Sequence, residues 1–284
     1  MPNTQIIIRT ALALLAFAGN SLLCRQALKA TALDAASFTT IRLVSAAVSL
    51  AMLVLVTRRT VPRKGDWPSG LALFAYAAAF SLAYVQLSAG TGALLLFGAV
   101  QLTMIGYGLL RGERLVALQV LGLALACAGL VGLVLPGLSA PPLASSAMML
   151  AAGVAWGAYS LRGRGAGDPL GATAGNFLRT VPMTLVFSLI FLAGAKLDNL
   201  GVAYALASGV ITSGLGYAVW YSVLPSLKAT QAASLQLSVP VIAAAGAILL
   251  LGEQPSWRLA GASLAILLGI WLVIQNKAPA KAKA

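Results

Sequence analysis

Apolar residues run through this chain in ten stretches, each near the roughly 20 residues that carry a helix across a bilayer. They cover roughly 5–26, 33–57, 68–87, 90–111, 115–135, 143–162, 170–194, 200–224, 229–251 and 256–275. The stretches are apolar all round, without the alternation of barrel strands, so they read as helices. Short polar links separate them, and a break from Pro136-Gly137 to Pro141-Pro142 falls near the midpoint. The expected fold class is therefore an all-α integral membrane protein with ten transmembrane helices.

The pattern also repeats. The stretch from Lys228 to Glu253 echoes the one from Ala89 to Glu113: each opens on a small Thr-containing turn and closes on Gly-Glu. A shift of about 137 carries Arg25 onto Arg162 and Arg42 onto Arg179, and one of about 140 carries Gly112-Glu113 onto Gly252-Glu253 and Gly129 onto Gly269. Five helices per half is an odd number, so the second half lies upside down relative to the first. Such inverted repeats mark secondary transporters, with a substrate site near the midplane between the halves. The division is 1–137 for the first repeat, 138–276 for the second and 277–284 for a basic tail.

Composition agrees. Of 284 residues, 60% are hydrophobic and 9% charged, with a mean hydropathy of +0.93. So few charges cannot coat a water-facing surface. The net charge of +13 would suggest nucleic acid in a soluble protein. In a membrane protein it reads as Lys and Arg gathered in cytoplasmic loops. With the N-terminus placed in the cytoplasm, the outer side holds only Arg25, Lys29, Lys196 and Arg258; Arg42 and Arg179 lie within helices and the remaining basic residues fall inside. Both termini are thus expected to be cytoplasmic. Cys24 and Cys127 fall in apolar spans and read as small buried side chains. No histidine is present, and no HExxH, GxSxG, Walker loop or carboxylate pair points to an enzyme.

Five-plus-five helices, an Arg early in the second helix of each half, Gly-Glu after the fourth, and Ser238-Val239-Pro240-Val241 in the ninth resemble the drug/metabolite transporter superfamily, EamA type. Within it the chain most resembles the aromatic amino-acid exporters. The resemblance implies a bacterial inner-membrane carrier with a ten-helix basket, moving small organic molecules outward.

Several side chains could serve that task. Tyr76, Phe80 and Tyr84 recur every four residues and share one face of the third helix, as a cavity wall or as packing. Phe97 and Gln101 stand one turn apart on the fourth helix; their repeat mates are Gln236 and Pro240. The amides of Gln101 and Gln236 lie deep in the spans and must face protein or a wet cavity. Pro240 lacks an N–H and frees a carbonyl near Gln236, giving either a hinge or a plain kink; Pro182 poses the same choice. Asn20 lies near the middle of helix one. Trp156, well inside helix six, needs an acceptor or a cavity for its indole N–H. Tyr159 is its neighbour, and Tyr217 stands on helix eight. Gly153 and Gly157 form a GxxxG that favours close helix contact. Arg42 and Arg179 read as structural anchors that snorkel or bond helix-end carbonyls, with carboxylate recognition as the alternative.

All six acids fall in or next to loops, so no titratable acid is expected at mid-span and facilitated movement is favoured over proton exchange. The resulting expectation is a secondary transporter exporting small amphipathic metabolites, aromatic or neutral amino acids, by alternating access. A broad drug or cation exporter and a non-transporting membrane scaffold are the alternatives. Expected partners are a small-molecule substrate and the lipid bilayer. No nucleic acid, cofactor or metal is expected, and the chain is expected to act as a monomer.

Overall fold

A computed structural model describes residues 3–58, 64–112, 114–137, 140–163, 167–227 and 235–275. Among them there are ten helices and no strand. They are α1 (Asn3–Ala30), α2 (Ala35–Arg58), α3 (Trp67–Tyr84), α4 (Ala89–Leu110), α5 (Ala117–Val134), α6 (Leu143–Gly163), α7 (Pro169–Ile190), α8 (Asn199–Val223), α9 (Ser238–Leu251) and α10 (Trp257–Gln275). Residues expected to open the ninth helix (229–234), Glu113 and the 277–284 tail lie outside the described residues.

Acids in the links start the helices. Asp66, Asp168 and Asp198 accept the backbone N–H three residues on, from Ser69, Gly171 and Gly201, and so cap α3, α7 and α8. Asp34 does the same for α2 through Ala36 and Ser37. Ser88 caps α4 through Thr91. The glycine of each Gly-Glu pair closes its helix with a positive φ, 86° at Gly112 and 64° at Gly252, a conformation that side chains disfavour. That geometry accounts for the glycine of the dipeptide in both halves.

Six helices are long and apolar enough to cross a membrane by composition alone: α1, α2, α4, α5, α8 and α10. Ser238–Leu251 is apolar but shorter. The remaining three, α3, α6 and α7, carry more polar and small residues on faces packed inside the bundle. Large side chains such as Met52, Val56, Leu121, Leu189, Leu249 and Leu264 point outward. Water would not tolerate such a surface, whereas lipid tails solvate it. Cys127 also faces outward on α5, which corrects the buried reading of that thiol; Cys24 is buried as expected.

Small residues set the closest approaches. A Cβ on Gly153 would collide with the Leu96 carbonyl and Ala99, and one on Gly157 with Thr103, so α6 lies directly on α4. The eighth helix holds a departure from expectation: Ser208–Leu215 is a π-helical turn in the middle of α8. Gly209 and Gly214 press there against Arg42, Ser45 and Ser49 of α2. The ninth helix departs too. A turn at Leu237 separates residues 235–236 from Ser238–Leu251, so Pro240 lies in the first turn of α9 rather than at its centre. Proline cannot donate to the carbonyl four residues back and its ring crowds that carbonyl, so the break precedes it. The Ser238 hydroxyl takes up the Leu235 carbonyl at 2.6 Å.

Candidate functional site

Phe17, Asn20 and Ser21 of α1 face Tyr76 and Phe80 of α3, Leu96 and Phe97 of α4, Trp156 of α6, Thr212 and Tyr217 of α8, and Gln236 ahead of α9. These side chains line a narrow cavity whose free space, about 20 Å³, holds roughly one water molecule. The rings close it by packing on one another. Tyr76 and Trp156 centroids are 4.9 Å apart, Trp156 and Tyr217 5.3 Å, and Phe17 and Tyr217 5.6 Å. Tilted and edge-on ring contacts of this kind stabilise beyond simple burial.

The polar side of the cavity is a connected network. Asn20 Nδ2 donates to Tyr76 Oη at 3.3 Å, and Asn20 Oδ1 accepts from Ser208 at 2.7 Å. Thr212 Oγ1 lies 3.4 Å from the same oxygen and donates to the Ser208 carbonyl at 2.7 Å. Behind this layer sits Arg42. Its Nε donates to Ser213 Oγ at 3.1 Å and its Nη2 to Tyr76 Oη at 3.0 Å. Its guanidinium lies 5.3 Å from the Tyr76 centroid and 5.0 Å from that of Phe80. The π turn matters here, because it lets Ser208, Thr212 and Ser213 all reach inward.

Of the side chains singled out in the sequence, Asn20, Tyr76, Phe80, Phe97, Trp156, Tyr217 and Gln236 come together at the cavity. Tyr84, Gln101, Tyr159 and Pro240 are buried outside its lining. Tyr84 donates to the Ala89 carbonyl at 3.2 Å and lies against Gly92, clamping the turn between α3 and α4. Tyr159 stacks on the far side of Trp156 at 5.3 Å. Gln101 is 3% exposed with its amide nitrogen unpartnered. Phe17, Ser21, Leu96 and Thr212 were not anticipated. Phe17 and Asn20 are three apart on α1, a spacing that shares a face and would have found the ring.

Arg42 corrects the reading of the two intrahelical arginines as matched anchors. It is 1% exposed and points into the bundle rather than toward the bilayer surface. Arg179 does bond backbone carbonyls near a helix end, Lys64 at 3.1 Å and Gly175 at 2.8 Å. The two mates are unlike because Ser213, Tyr76 and Phe80 receive the first.

Both ends of α3 are tied by ion pairs. At its C-terminal end, Arg25 approaches Glu253 at 3.4 Å and donates to the Tyr84 and Val85 carbonyls, each at 3.0 Å. Glu253 also accepts from Ala89 N–H, at 2.9 and 3.1 Å, and so stands at the positive end of α4. At its N-terminal end, Arg162 meets Asp66 at 2.8 Å and Ser69 at 3.0 Å. Asp66 is pushed up by burial, but hydrogen bonds from Ser69 and the Arg162 charge outweigh that and hold it below the usual carboxylate range.

Helices closing a small aromatic and polar cavity inside an apolar outer surface define a multi-pass membrane protein. Residues 144–275 match the model of the EamA-like transporter family. The chain is 58% identical over 275 residues to an uncharacterized protein of Pseudomonas aeruginosa, PA1977, covering 96% of each chain. It therefore belongs to one family with that protein, and its residues 144–275 carry an EamA-like transporter family domain, which points to a membrane transporter. A crystal structure of a protein aligns over 95% of this chain and 97% of its own with a TM-score of 0.67; at 17% identity that likeness speaks to the fold alone.

Proposed function

We propose that the chain is a secondary transporter that exports small amphipathic metabolites, aromatic or other neutral amino acids, across the bacterial cytoplasmic membrane. The observation that carries this reading is the cavity, with rings on one side and an Asn20–Tyr76–Thr212 polar network on the other. Once these rings part, a solute with an aromatic ring and a polar head would find a partner for each part there. Trp156, Tyr76, Phe80 and Phe97 serve the ring; Asn20 and Gln236 serve the polar end.

The mechanism is alternating access between two inverted repeats, 1–137 and 138–276, with both termini and the 277–284 tail in the cytoplasm. The packing supports the repeat. Exchanging each helix with the one five places on maps α3–α6 onto α8–α1, α4–α6 onto α9–α1 and α2–α8 onto α7–α3, while α2–α7, α4–α9 and α5–α10 map onto themselves. The repeat mates Arg25 and Arg162 tie opposite ends of α3, Tyr84 and Ser69, about 22 Å apart along the helix. With both ties made, the cavity is filled by its own rings. Transport requires each tie to break in turn.

Facilitated movement fits the acids. The five described ones are engaged at helix starts in the links, away from the cavity. The guanidinium of Arg42 behind the wall also disfavours a cationic solute. Purified protein in liposomes, loaded with labelled Phe, Trp or Thr and assayed with and without a pH gradient, tests the reading. Efflux of the aromatic amino acids without a gradient is expected. No flux of any amino acid would sink the proposal, and strict dependence on a proton gradient would sink facilitation.

A further inference from the structure

We infer that Arg42, with Tyr76 and Asn20, forms a subsite for the carboxylate of the transported solute. The inference rests on the transporter reading and names the chemistry of its polar end. Arg42 lies about 10 Å into α2 from its first residue and is 1% exposed. A buried cation is costly unless an anion meets it. Among the described residues none does. Asp34, Asp66, Asp168 and Asp198 cap helices in the links, and Glu253 pairs with Arg25.

The donors are also in surplus. A guanidinium carries five N–H groups. Nε and Nη2 are used by Ser213 and Tyr76, but Nη1 is buried without a partner. Tyr76 Oη already accepts from Asn20 and from Arg42, so its own proton remains to be given, and no acceptor for it stands among the described residues. Unspent donors and one uncompensated positive charge, converging behind a cavity wall, call for an oxyanion. The planar fork of arginine suits a carboxylate. A single cation balances a single negative charge, which favours a carboxylate over a phosphate dianion. The cation–π contacts with Tyr76 and Phe80 hold the guanidinium directly behind the cavity wall while leaving Nη1 unpaired. Tyr76 and Phe80 themselves line the cavity, so a ring and a carboxylate separated by two or three carbons can engage both regions once the cavity opens.

The test measures binding directly, so it stands apart from flux. Purified protein is titrated with 3-phenylpropionate, which keeps the carboxylate, and 3-phenylpropionamide, its uncharged counterpart, by tryptophan fluorescence. The carboxylate is expected to bind tighter by about 30-fold, the worth of a hydrogen bond to a charged group. Arg42→Lys, which keeps charge but loses the fork, is expected to cut that preference to about threefold. Tyr76→Phe, which keeps the ring, is expected to weaken 3-phenylpropionate about tenfold and 3-phenylpropionamide by less. Equal binding of the two probes by the unaltered protein would overturn the inference, as would full carboxylate preference in both variants. Should Arg42→Lys fail to fold, the wild-type comparison and Tyr76→Phe still decide. Carboxylate-selective binding without flux would sustain the subsite and sink the transport reading.

Discussion

Glu253→Gln is the most informative single change outside the cavity. The side chain is 9% exposed, its partner Arg25 12%, and the pair joins the ends of α1, α3, α4 and α9. Glutamine keeps the size and one acceptor for the Ala89 N–H but removes the charge that Arg25 faces. An exposed pair contributes up to about 1 kcal/mol, and stripping one partner from a fully buried pair costs about 3–5 kcal/mol. Arg25 retains the Tyr84 and Val85 carbonyls. The loss should therefore fall between these limits, at about 2 kcal/mol. If this tie holds its end of the bundle shut, that loss raises the population open at the Arg25 end by about 30-fold. Cys24 is a natural reporter: it precedes Arg25 and is fully buried. In a Cys127→Ser background, detergent-solubilised protein would be reacted with a polar maleimide. Labelling of Cys24 should quicken by about 30-fold in Glu253→Gln. A rate within twofold of the parent, in a variant that melts as a folded protein, would refute the argument that this pair is a latch.

The remaining expectations are smaller in scope. Gly153→Val should destabilise by about 2–3 kcal/mol, since its side chain meets the Leu96 carbonyl and Ala99, and a lower thermal midpoint in detergent would show it. Tyr84→Phe should cost about 1 kcal/mol of stability through the lost bond to Ala89, yet leave the KM for any transported amino acid unchanged, because Tyr84 lies outside the cavity. Asp34 and Asp66 are both held below their ordinary value: burial pushes each up, and hydrogen bonds from Ser37 and Lys196 in the one case, from Ser69 and Arg162 in the other, outweigh it. A depressed folded value gives stability that is complete above the unfolded value of 3.8 and lost as pH falls through the lower folded one. Unfolding curves should therefore be flat from neutral pH to about 4 and decline below it. Asp66→Asn should remove part of that decline.

Much of the architecture was legible because its cause is local. Apolar length, link acids and Gly-Glu ends are each set by a few consecutive residues, and nine of the ten helices start within two residues of where these place them. The start placed for the ninth lies outside the described residues, and its break at Leu237 was not legible, because the effect of Pro240 on the carbonyl behind it cannot be told from a mid-helix kink until the chain ahead is placed. The π turn of α8 was hidden for a similar reason. Its apolar run looks like any other, and only the close approach of Gly209 and Gly214 to α2 reveals it.

The site was half legible. Spacing put Tyr76 and Phe80 on one face, and depth alone marked Asn20, Trp156 and Gln236. It gave Tyr84 the same standing as Tyr76, although one packs a turn and the other walls the cavity. Arg42 shows the limit most clearly. Its match with Arg179 in the repeat argued for a shared structural task, but whether an arginine points inward depends on what the opposing helices offer. Ser213 and Tyr76 are 171 and 34 residues away in sequence.

Counterflow tests the central claim most directly. Liposomes holding unlabelled L-phenylalanine are diluted into a trace of labelled L-phenylalanine. A carrier with one site open to each side in turn must show a transient accumulation of label without any ion gradient. The wild-type protein should show this overshoot, and Trp156→Ala, which removes the ring between Tyr76 and Tyr217, should lose it by tenfold or more while remaining folded, a loss of about 1.4 kcal/mol or more. Absence of an overshoot with the wild-type protein, or an undiminished one in Trp156→Ala, would contradict the account.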